Sequence, residues 1–167
     1  MLDDIMDRFD DEPAKQEVVR FLLQHGYAVD EENGINTNGM SLSDSDIAAT
    51  LDVDRRVVSK TAETICQDDE LQQIFRNLSS VPFLEKTADV LGLSVITVQV
   101  DDAAETGLLA DIAQVFTDYE VMIRQAVVQD PFFTEQPQFV AIIDGTPPEG
   151  MMIDLKKLEF SEGVFFG

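Results

Sequence analysis

Alternation of apolar and polar positions is clearest in residues 94–100, which read Ser-Val-Ile-Thr-Val-Gln-Val. This period of two predicts a strand with one buried face. The residues on that face are Ser94, Ile96, Val98 and Val100. After a loop that contains glycine, apolar residues recur at helical spacing, which predicts an amphipathic helix over about residues 106–119. Its apolar face consists of Leu108, Leu109, Ile112, Val115 and Phe116.

The rest of the C-terminal half completes a regular order of elements. Apolar runs predict strands over residues 121–128, 138–143 and 163–166, and residues 147–158 predict a short helix. The resulting order is β-α-β-β-α-β, the split-βαβ arrangement of ferredoxin-like domains. We therefore expect a four-stranded antiparallel sheet with its helices on one face.

The N-terminal half is predicted to be mainly helical. One helix begins at Pro13, which suits a first turn, and ends before Gly26, which suits a C-terminal stop. His25 lies beside that stop, and we interpret it as a capping residue. The other expected elements are a loose or weakly helical lead-in over residues 1–11 and helices over residues 68–78 and 81–91, the last with Leu84, Ala88 and Leu91 facing inward.

Two Asn-Gly pairs follow the first of these helices, at residues 33–34 and 38–39. Such pairs indicate tight turns, because both residues tolerate positive φ. They leave two interpretations open, a small hairpin of residues 27–30 against 35–37 or a plain solvent loop.

Residues 43–67 carry the pattern of a helix-turn-helix. Ser43 followed by Asp46 is a capping signal for a short first helix, and Asp54 is a good N-cap for a second. Asp52 stands in the turn, where such motifs often carry glycine. Two short helices that cross steeply need apolar packing with a small residue at the close contact, and the residues at those positions are Ile47, Ala48, Leu51, Val53 and Val58.

This alignment decides which side chains of the second helix point outward. They are Arg55, Arg56, Ser59, Lys60 and Glu63. The second helix of a helix-turn-helix lies in the major groove of DNA, where Arg and Lys meet phosphates or guanine. We therefore identify Arg55, Arg56, Ser59 and Lys60 as candidate DNA-binding residues. The alternative is a packing or protein-contact module with an ordinary basic face.

The composition is strongly acidic, with 33 Asp and Glu against 11 Lys and Arg and a formal net charge of −22. The excess lies in both halves, so it is a property of the whole surface rather than of a tail. Self-repulsion of this size is screened at high salt, and we therefore expect a salt-loving host, with a merely soluble acidic protein as the alternative. The same charge opposes approach to double-stranded DNA at moderate salt but not in molar salt.

Several classes of protein are disfavoured by the sequence. No apolar run reaches the ~18 residues of a membrane span, and the acidic N-terminus is unlike a signal peptide, so we expect a cytoplasmic protein without membrane contact. One Cys and one His provide neither an internal disulfide nor a zinc site. A nucleophile–His–acid set and a phosphate loop are also missing from the sequence, so we expect no enzyme, no catalytic residues, no cofactor and no metal.

The motif at residues 100–112 reads Val-Asp-Asp and, three residues later, Thr-Gly-Leu-Leu-Ala-Asp-Ile, and within this order of elements it resembles an ACT domain. The resemblance covers about residues 92–167. It implies a domain that binds small ligands, usually amino acids, and often pairs its sheets edge to edge in a dimer. The family pattern Asp-x-Pro-Gly is altered, because residues 103–105 lengthen the loop and Thr106 replaces the proline.

An amino acid ligand needs partners for a carboxylate and for an ammonium group. The helix that starts after Gly107 supplies free N–H groups for the carboxylate, and glycine permits close approach. The acidic loop residues would hold the ammonium, and the ACT resemblance implies that Arg124 or Gln125 reaches the ligand from a partner subunit. The candidate ligand-binding residues are Asp101, Asp102, Glu105, Thr106, Gly107, Leu108, Arg124 and Gln125. In the alternative interpretation Gly107 only permits the turn and the acids only cap the helix.

The whole chain resembles an archaeal family of predicted regulators of amino acid metabolism, in which a helix-turn-helix domain is fused to an ACT domain. The residues that carry this resemblance are 54–58, 71–78, 91–93 and 123–126. It implies an α+β fold with a helical domain over residues 1–92 and an ACT-like domain over 93–167, joined without a Gly/Ser linker. The implied function is an amino-acid-responsive transcription regulator that forms a homodimer or higher homo-oligomer through the ACT-like domain. The alternative is an amino-acid-binding regulator that acts through protein contacts without touching DNA.

Overall fold

The computed structural model describes residues 2–32, 34–103 and 106–167. It divides the chain into two compact units, Met1–Val81 and Pro82–Gly167. The sequence places this boundary after residue 92, whereas the structure assigns residues 82–92 to the C-terminal unit. The side chain of Gln125, in the C-terminal unit, binds the backbone of these residues at two points.

The N-terminal unit combines helices with a small antiparallel sheet. Its described elements are α1 (Leu2–Asp7), α2 (Pro13–His25), β1 (Ala28–Asp30), β2 (Gly34–Thr37), β3 (Met40–Ser41), α3 (Asp44–Leu51), α4 (Arg55–Gln67) and α5 (Asp69–Phe75). The sheet has the order β1-β2-β3. The fully buried large side chains of this unit are Phe9, Leu22, Ile35, Ile65, Leu71 and Phe75.

The hairpin interpretation of the Asn-Gly region is confirmed. Ala28 pairs with Asn36, and β2 continues into the short strand β3, which the sequence analysis does not predict. Asn38 and Gly39 connect β2 to β3 with φ of +50° and +84°, as a tight hairpin turn requires. Asn33, the first residue of the other pair, lies outside the described residues.

The acidic lead-in folds more firmly than expected. Ile5, Met6 and Phe9 are buried, and Phe9 is only 2% exposed. The Arg8 guanidinium forms ion pairs with Asp68 and Glu70 at the start of α5. Three buried apolar residues, interspersed with five Asp residues, therefore pack the lead-in against the N-terminal unit.

The C-terminal unit confirms the predicted β-α-β-β-α-β order. Its regular elements are β4 (Leu93–Val100), α6 (Leu108–Asp118), β5 (Ile123–Val128), β6 (Gln138–Asp144), α7 (Met151–Lys156) and β7 (Ser161–Phe166). The four strands form an antiparallel sheet of order β5-β6-β4-β7, as in ferredoxin-like folds. One face of the sheet joins α6 and α7 in a core that contains Ile96, Val98, Ile112, Phe116, Phe139, Ile143, Met151 and Leu155.

Three local predictions in this unit are wrong. Residues 81–91 form no α-helix but two 3₁₀ turns, Glu85–Thr87 and Asp89–Leu91. Only Ala88 of this segment is buried, so the segment lacks the packed apolar face from which a helix of this length gains its stability. Leu91, expected to face inward, is 56% exposed. Leu109 is also 56% exposed, since the buried stripe of α6 follows i, i+4, i+8 from Leu108 and leaves its neighbour about 100° away.

Candidate functional site

The helix-turn-helix prediction is confirmed in its packing. Ile47, Ala48 and Val58 are buried where α3 meets α4, whereas Leu51 and Val53, the other two predicted packing residues, are half-buried. Asp52 adopts the left-handed conformation at φ +53°, as the glycine usual in this turn would. Asp54 caps α4 by accepting a hydrogen bond from the Arg56 N–H at 2.7 Å.

The first turn of α4 carries cations in an unusual position. Arg55 and Arg56 are its first two residues, and both are exposed. Positive charge near a helix N-terminus is unfavourable, because the macrodipole is positive there. Within the part of the chain that the structure describes, neither arginine takes part in an ion pair, although the protein has 33 acids for 11 bases. Local stability therefore does not explain their presence.

Carboxylates balance this basic face. The Lys60 Nζ lies 3.6 Å from Glu63 Oε2. Ser59 is half-buried, and its hydroxyl lies 2.5 Å from Asp44 Oδ2 on α3, so it joins the two helices instead of projecting freely as predicted. A groove of about 390 Å³ runs along the face and is lined by Asp54, Arg55, Arg56, Ser59, Lys60 and Glu63.

The candidate ligand-binding loop lies at the end of β4. Gly107 has a φ of +101°, and no described atom lies within 4 Å of the point a Cβ would occupy, so the turn itself requires glycine. The first helical bond runs from Asp111 N–H to Gly107 O at 3.0 Å, which leaves the N–H groups of residues 108–110 outside the helical ladder. The Leu108 side chain is 3% exposed within the core, so only its backbone remains a candidate contact. Thr106 is exposed, and Glu105 lies outside the described residues.

A polar cleft adjoins this loop on the side of Asp101. It has a volume of about 290 Å³ and is lined by Gln99, Val100, Asp101, Glu135, Gln136, Pro137 and Glu162. Three carboxylates here give a negative potential that suits an ammonium group. Glu135 and Glu162 reach the cleft from the β5–β6 loop and from β7, and no spacing in the sequence indicates that they join Asp101. Asp102, the neighbouring candidate, is exposed.

Arg124 and Gln125 do not join this loop within one chain. Strands β4 and β5 both pair antiparallel with β6, so they run in the same direction, and the start of β5 lies at the opposite end of the sheet from residues 101–107. The Arg124 Nη1 lies 3.3 Å from Asp144 Oδ2. Gln125 accepts from Leu84 N–H and donates to Pro82 O, each at 2.9 Å. Only a second copy of the chain would supply them to the loop.

Cys66 and His25, two other potentially reactive side chains, are accounted for by contacts within the N-terminal unit. Burial, followed by the charges of Glu31 and Asp30, raises the pKa of the Cys66 thiol, so that the thiol form is favoured. The His25 ring packs at a tilted angle against both Phe21 and Tyr27, at centroid distances of 4.2 and 5.3 Å, at the end of α2. Among the described residues there is no group of three or more His, Cys, Asp and Glu placed to hold a metal ion. None of the described helices has the length and apolar character needed to cross a membrane.

Comparison with known proteins gives distant structural similarity. No protein-family model and no curated protein matches the sequence. The fold is similar to that of an AsnC family transcriptional regulator from Agrobacterium tumefaciens (8% identity, TM-score 0.31, 92% of this chain and 86% of that chain). It is also similar to PH0061 (12%, 0.30, 92% and 88%) and to the transcriptional regulatory protein PF0864 of the AsnC family from Pyrococcus furiosus (11%, 0.28, 92% and 85%). These TM-scores are low, so the assignment of the fold rests on the strand order and register described above.

Proposed function

We propose that this protein is an amino-acid-responsive transcription regulator, in which α4 contacts double-stranded DNA and the ACT-like unit binds the ligand. The observation that carries the proposal is the pair Arg55 and Arg56, two exposed cations against the helix dipole in an acidic chain, without ion pairs among the described residues. They stand at the N-terminal turn of the second helix of a helix-turn-helix, the part that approaches base edges. The resemblance to archaeal regulators of amino acid metabolism points to the same pairing of domains.

In the proposed mechanism, the ligand binds at the loop after β4. The N–H groups of residues 108–110, which lie outside the helical ladder, and the positive end of α6 suit a carboxylate. The carboxylates of Asp101, Glu135 and Glu162 suit the ammonium group. In a homodimer built through the ACT-like units, a ligand that favours one dimer arrangement resets the spacing between two recognition helices. Linkage then requires that DNA change ligand affinity by the same factor by which ligand changes DNA affinity.

Binding to random-sequence double-stranded DNA over a KCl series tests the DNA contact. The double variant Arg55→Ala/Arg56→Ala is compared with the wild type and with Lys15→Ala/Arg76→Ala, which removes the same charge elsewhere in the N-terminal unit. Loss of two phosphate contacts makes the slope of log affinity against log salt shallower by about 2. Equal weakening in both double variants, or none in either, would refute the assignment of α4.

A regulator that acts through protein contacts is the second candidate function, and the charge on α4 favours it. Asp44, Asp54 and Glu63 offset the three bases of the face, which weakens any simple attraction to phosphate. If the wild type fails to bind DNA at every KCl concentration, from dilute to molar, this second function replaces the first.

Ligand binding is tested by a thermal-shift screen of the twenty amino acids in molar KCl, which screens the acidic surface. A ligand at about 100 times its dissociation constant adds about 2.7 kcal/mol, equivalent to a shift of several degrees. The response is expected to fall in Asp101→Asn, with Asp118→Asn at the far end of α6 as the matched control. A flat response across the screen would leave the C-terminal unit as a dimerisation module.

A further inference from the structure

Residues 82–92, which open the C-terminal unit and which we call the strap, lie on the sheet face that α6 and α7 leave uncovered. Gln125, which binds Pro82 and Leu84, pairs in register with Ile142. Ile142 alternates with the core residues Ala141 and Ile143, and so faces away from the helices. Directly paired residues of antiparallel strands project to the same face. The Gln125 amide therefore reaches the strap on the outer face.

The strap also borders β4 and β7 on that face. A groove of about 380 Å³ is lined by Glu85, Lys86, Val95, Thr97, Phe165, Phe166 and Gly167. Val95 and Thr97 belong to the face of β4 opposite the buried Ile96 and Val98. The strap thus extends from the β5 edge of the sheet towards the β7 edge before it enters β4.

A β-bulge gives Gln125 its orientation. Ile123 and Gln125 are two residues apart and would share a face in a regular strand. The register shifts between them, because Ile123 pairs with Ile143 while Gln125 pairs with the adjacent Ile142. The extra residue, Arg124, turns Gln125 to the outer face. Without this bulge the amide would point towards the apolar core beneath α6.

Few other described hydrogen bonds fasten the strap. Of its residues only Ala88 is buried, at 1% exposure, while Val90 is 89% exposed. Its described backbone hydrogen bonds are internal or run to the first residue of β4, such as Leu93 N–H to Ala88 O at 2.9 Å. Among the described residues, the hydrogen bonds from the strap to β5 are the two made by Gln125.

We propose that the strap is detachable and that Gln125 is its latch. Release of the Gln125 amide frees the backbone of Pro82 and Leu84, so that the strap can separate from the outer face of the sheet. A ligand or partner subunit that forms hydrogen bonds with the Gln125 amide displaces Pro82 and Leu84 and opens the latch. The position of the strap then depends on whether such a ligand or subunit is bound at β5. This regulatory meaning rests on the proposed function, whereas the latch itself does not.

Limited digestion of the full chain by trypsin measures strap opening, because Lys86 lies within the strap. Cleavage after Lys86 is expressed relative to cleavage after Lys156 in α7, which corrects for general unfolding. Gln125→Ala is expected to raise this ratio about tenfold, since the loss of two hydrogen bonds shifts an opening equilibrium by about that factor. Gln125→Glu keeps the acceptor for Leu84 but sets a second acceptor oxygen against Pro82 O, so its ratio should also rise.

The control is Gln114→Ala, which removes an exposed glutamine of α6 that donates to Asp118. An unchanged ratio in both Gln125 variants, or an equal rise in the control, overturns the latch. Binding to the random DNA library with and without a mixture of the twenty amino acids then tests regulation. A reduced response to amino acids in Gln125→Ala supports it, and a full response overturns it. A wild type that binds no DNA contradicts the proposed function, while the digestion still decides the latch.

Discussion

The contact between Gly150 and Tyr119 predicts a stability cost that can be separated from ordinary backbone strain. Gly150 precedes α7 with a φ of +92°, and a Cβ built on it would lie 3.0 Å from the Tyr119 hydroxyl. That hydroxyl donates to Asp154 Oδ2 at 2.6 Å, so it is not free to move. Gly145 offers a matched site, because its φ is +71° and no described atom lies within 4 Å of the point a Cβ would occupy.

The two glycines should therefore differ when each is replaced by alanine. Gly145→Ala carries only the strain of positive φ, about 1–2 kcal/mol. Gly150→Ala adds overpacking against the hydroxyl, which brings about 1 kcal/mol or more beyond that. In a domain of this size each kcal/mol lowers Tm by about 4–8 °C. Calorimetry at a fixed KCl concentration measures both variants.

The double variant Gly150→Ala/Tyr119→Phe identifies the cause. Removing the hydroxyl removes the contact, so in the Tyr119→Phe background Gly150→Ala should cost no more than Gly145→Ala. If the excess persists in that background, the cost arises from the backbone alone and the contact is not responsible. Equal costs for the two glycines in the wild-type background would refute the packing argument directly.

Two further predictions concern helix ends. The backbone N–H of Leu71, followed by Arg8, holds the pKa of Asp68 below 3.8, so Asp68→Ala should lower Tm more than Asp69→Ala at neutral pH. Because the pKa of Asp68 is lowered in the folded protein, the Tm difference between these two variants should disappear as the pH falls below 3.8 and through the folded pKa. A Tm difference that remains at lower pH would contradict the assignment of Asp68 as the cap. Asp52→Gly relieves a non-glycine φ of +53° and should stabilise the N-terminal unit by about 1 kcal/mol in urea unfolding, whereas no gain would show that the Asp52 side chain compensates for the strain.

Periodicity predicted the elements whose own residues determine them. The alternation in β4 and the stripe from Leu108 to Phe116 need only a neighbouring apolar surface, and both are confirmed. The prediction for the strap failed because the strap buries only Ala88, and its contact with Gln125 was hidden, since Gln125 is 41 residues from Leu84 and changes face through a bulge that leaves no local signal. The packing of the lead-in was not predicted for a related reason. Ile5, Met6 and Phe9 are interspersed with five Asp residues, so the sequence shows no clear apolar pattern there.

The candidate sites show the same limit at the level of single residues. Arg55 and Arg56 were predictable, because the phase of a helix is fixed by its buried positions. The pairing of Ser59 with Asp44 was not, since it depends on how closely α3 approaches α4. The cleft beside Asp101 was equally hidden, because Glu135 and Glu162 come from separate strands and loops. Contacts between elements therefore changed the roles assigned to Ser59 and Asp101, although the elements that carry them were predicted correctly.

These contacts also bear on how so acidic a protein would bind DNA. At about 1 M salt the Debye length is about 3 Å, so distant carboxylates cease to act, but Asp54 and Glu63 lie on the proposed binding face itself. Attraction to phosphate is consequently weak at any salt concentration, and binding must depend on short, directed hydrogen bonds. Arg55 and Arg56, free of ion pairs among the described residues, are suited to the bidentate contacts that arginine makes with phosphate. On this argument the salt slope is small, with about 2 of it contributed by these two residues, whereas a basic helix-turn-helix protein with more phosphate contacts would show a steeper slope.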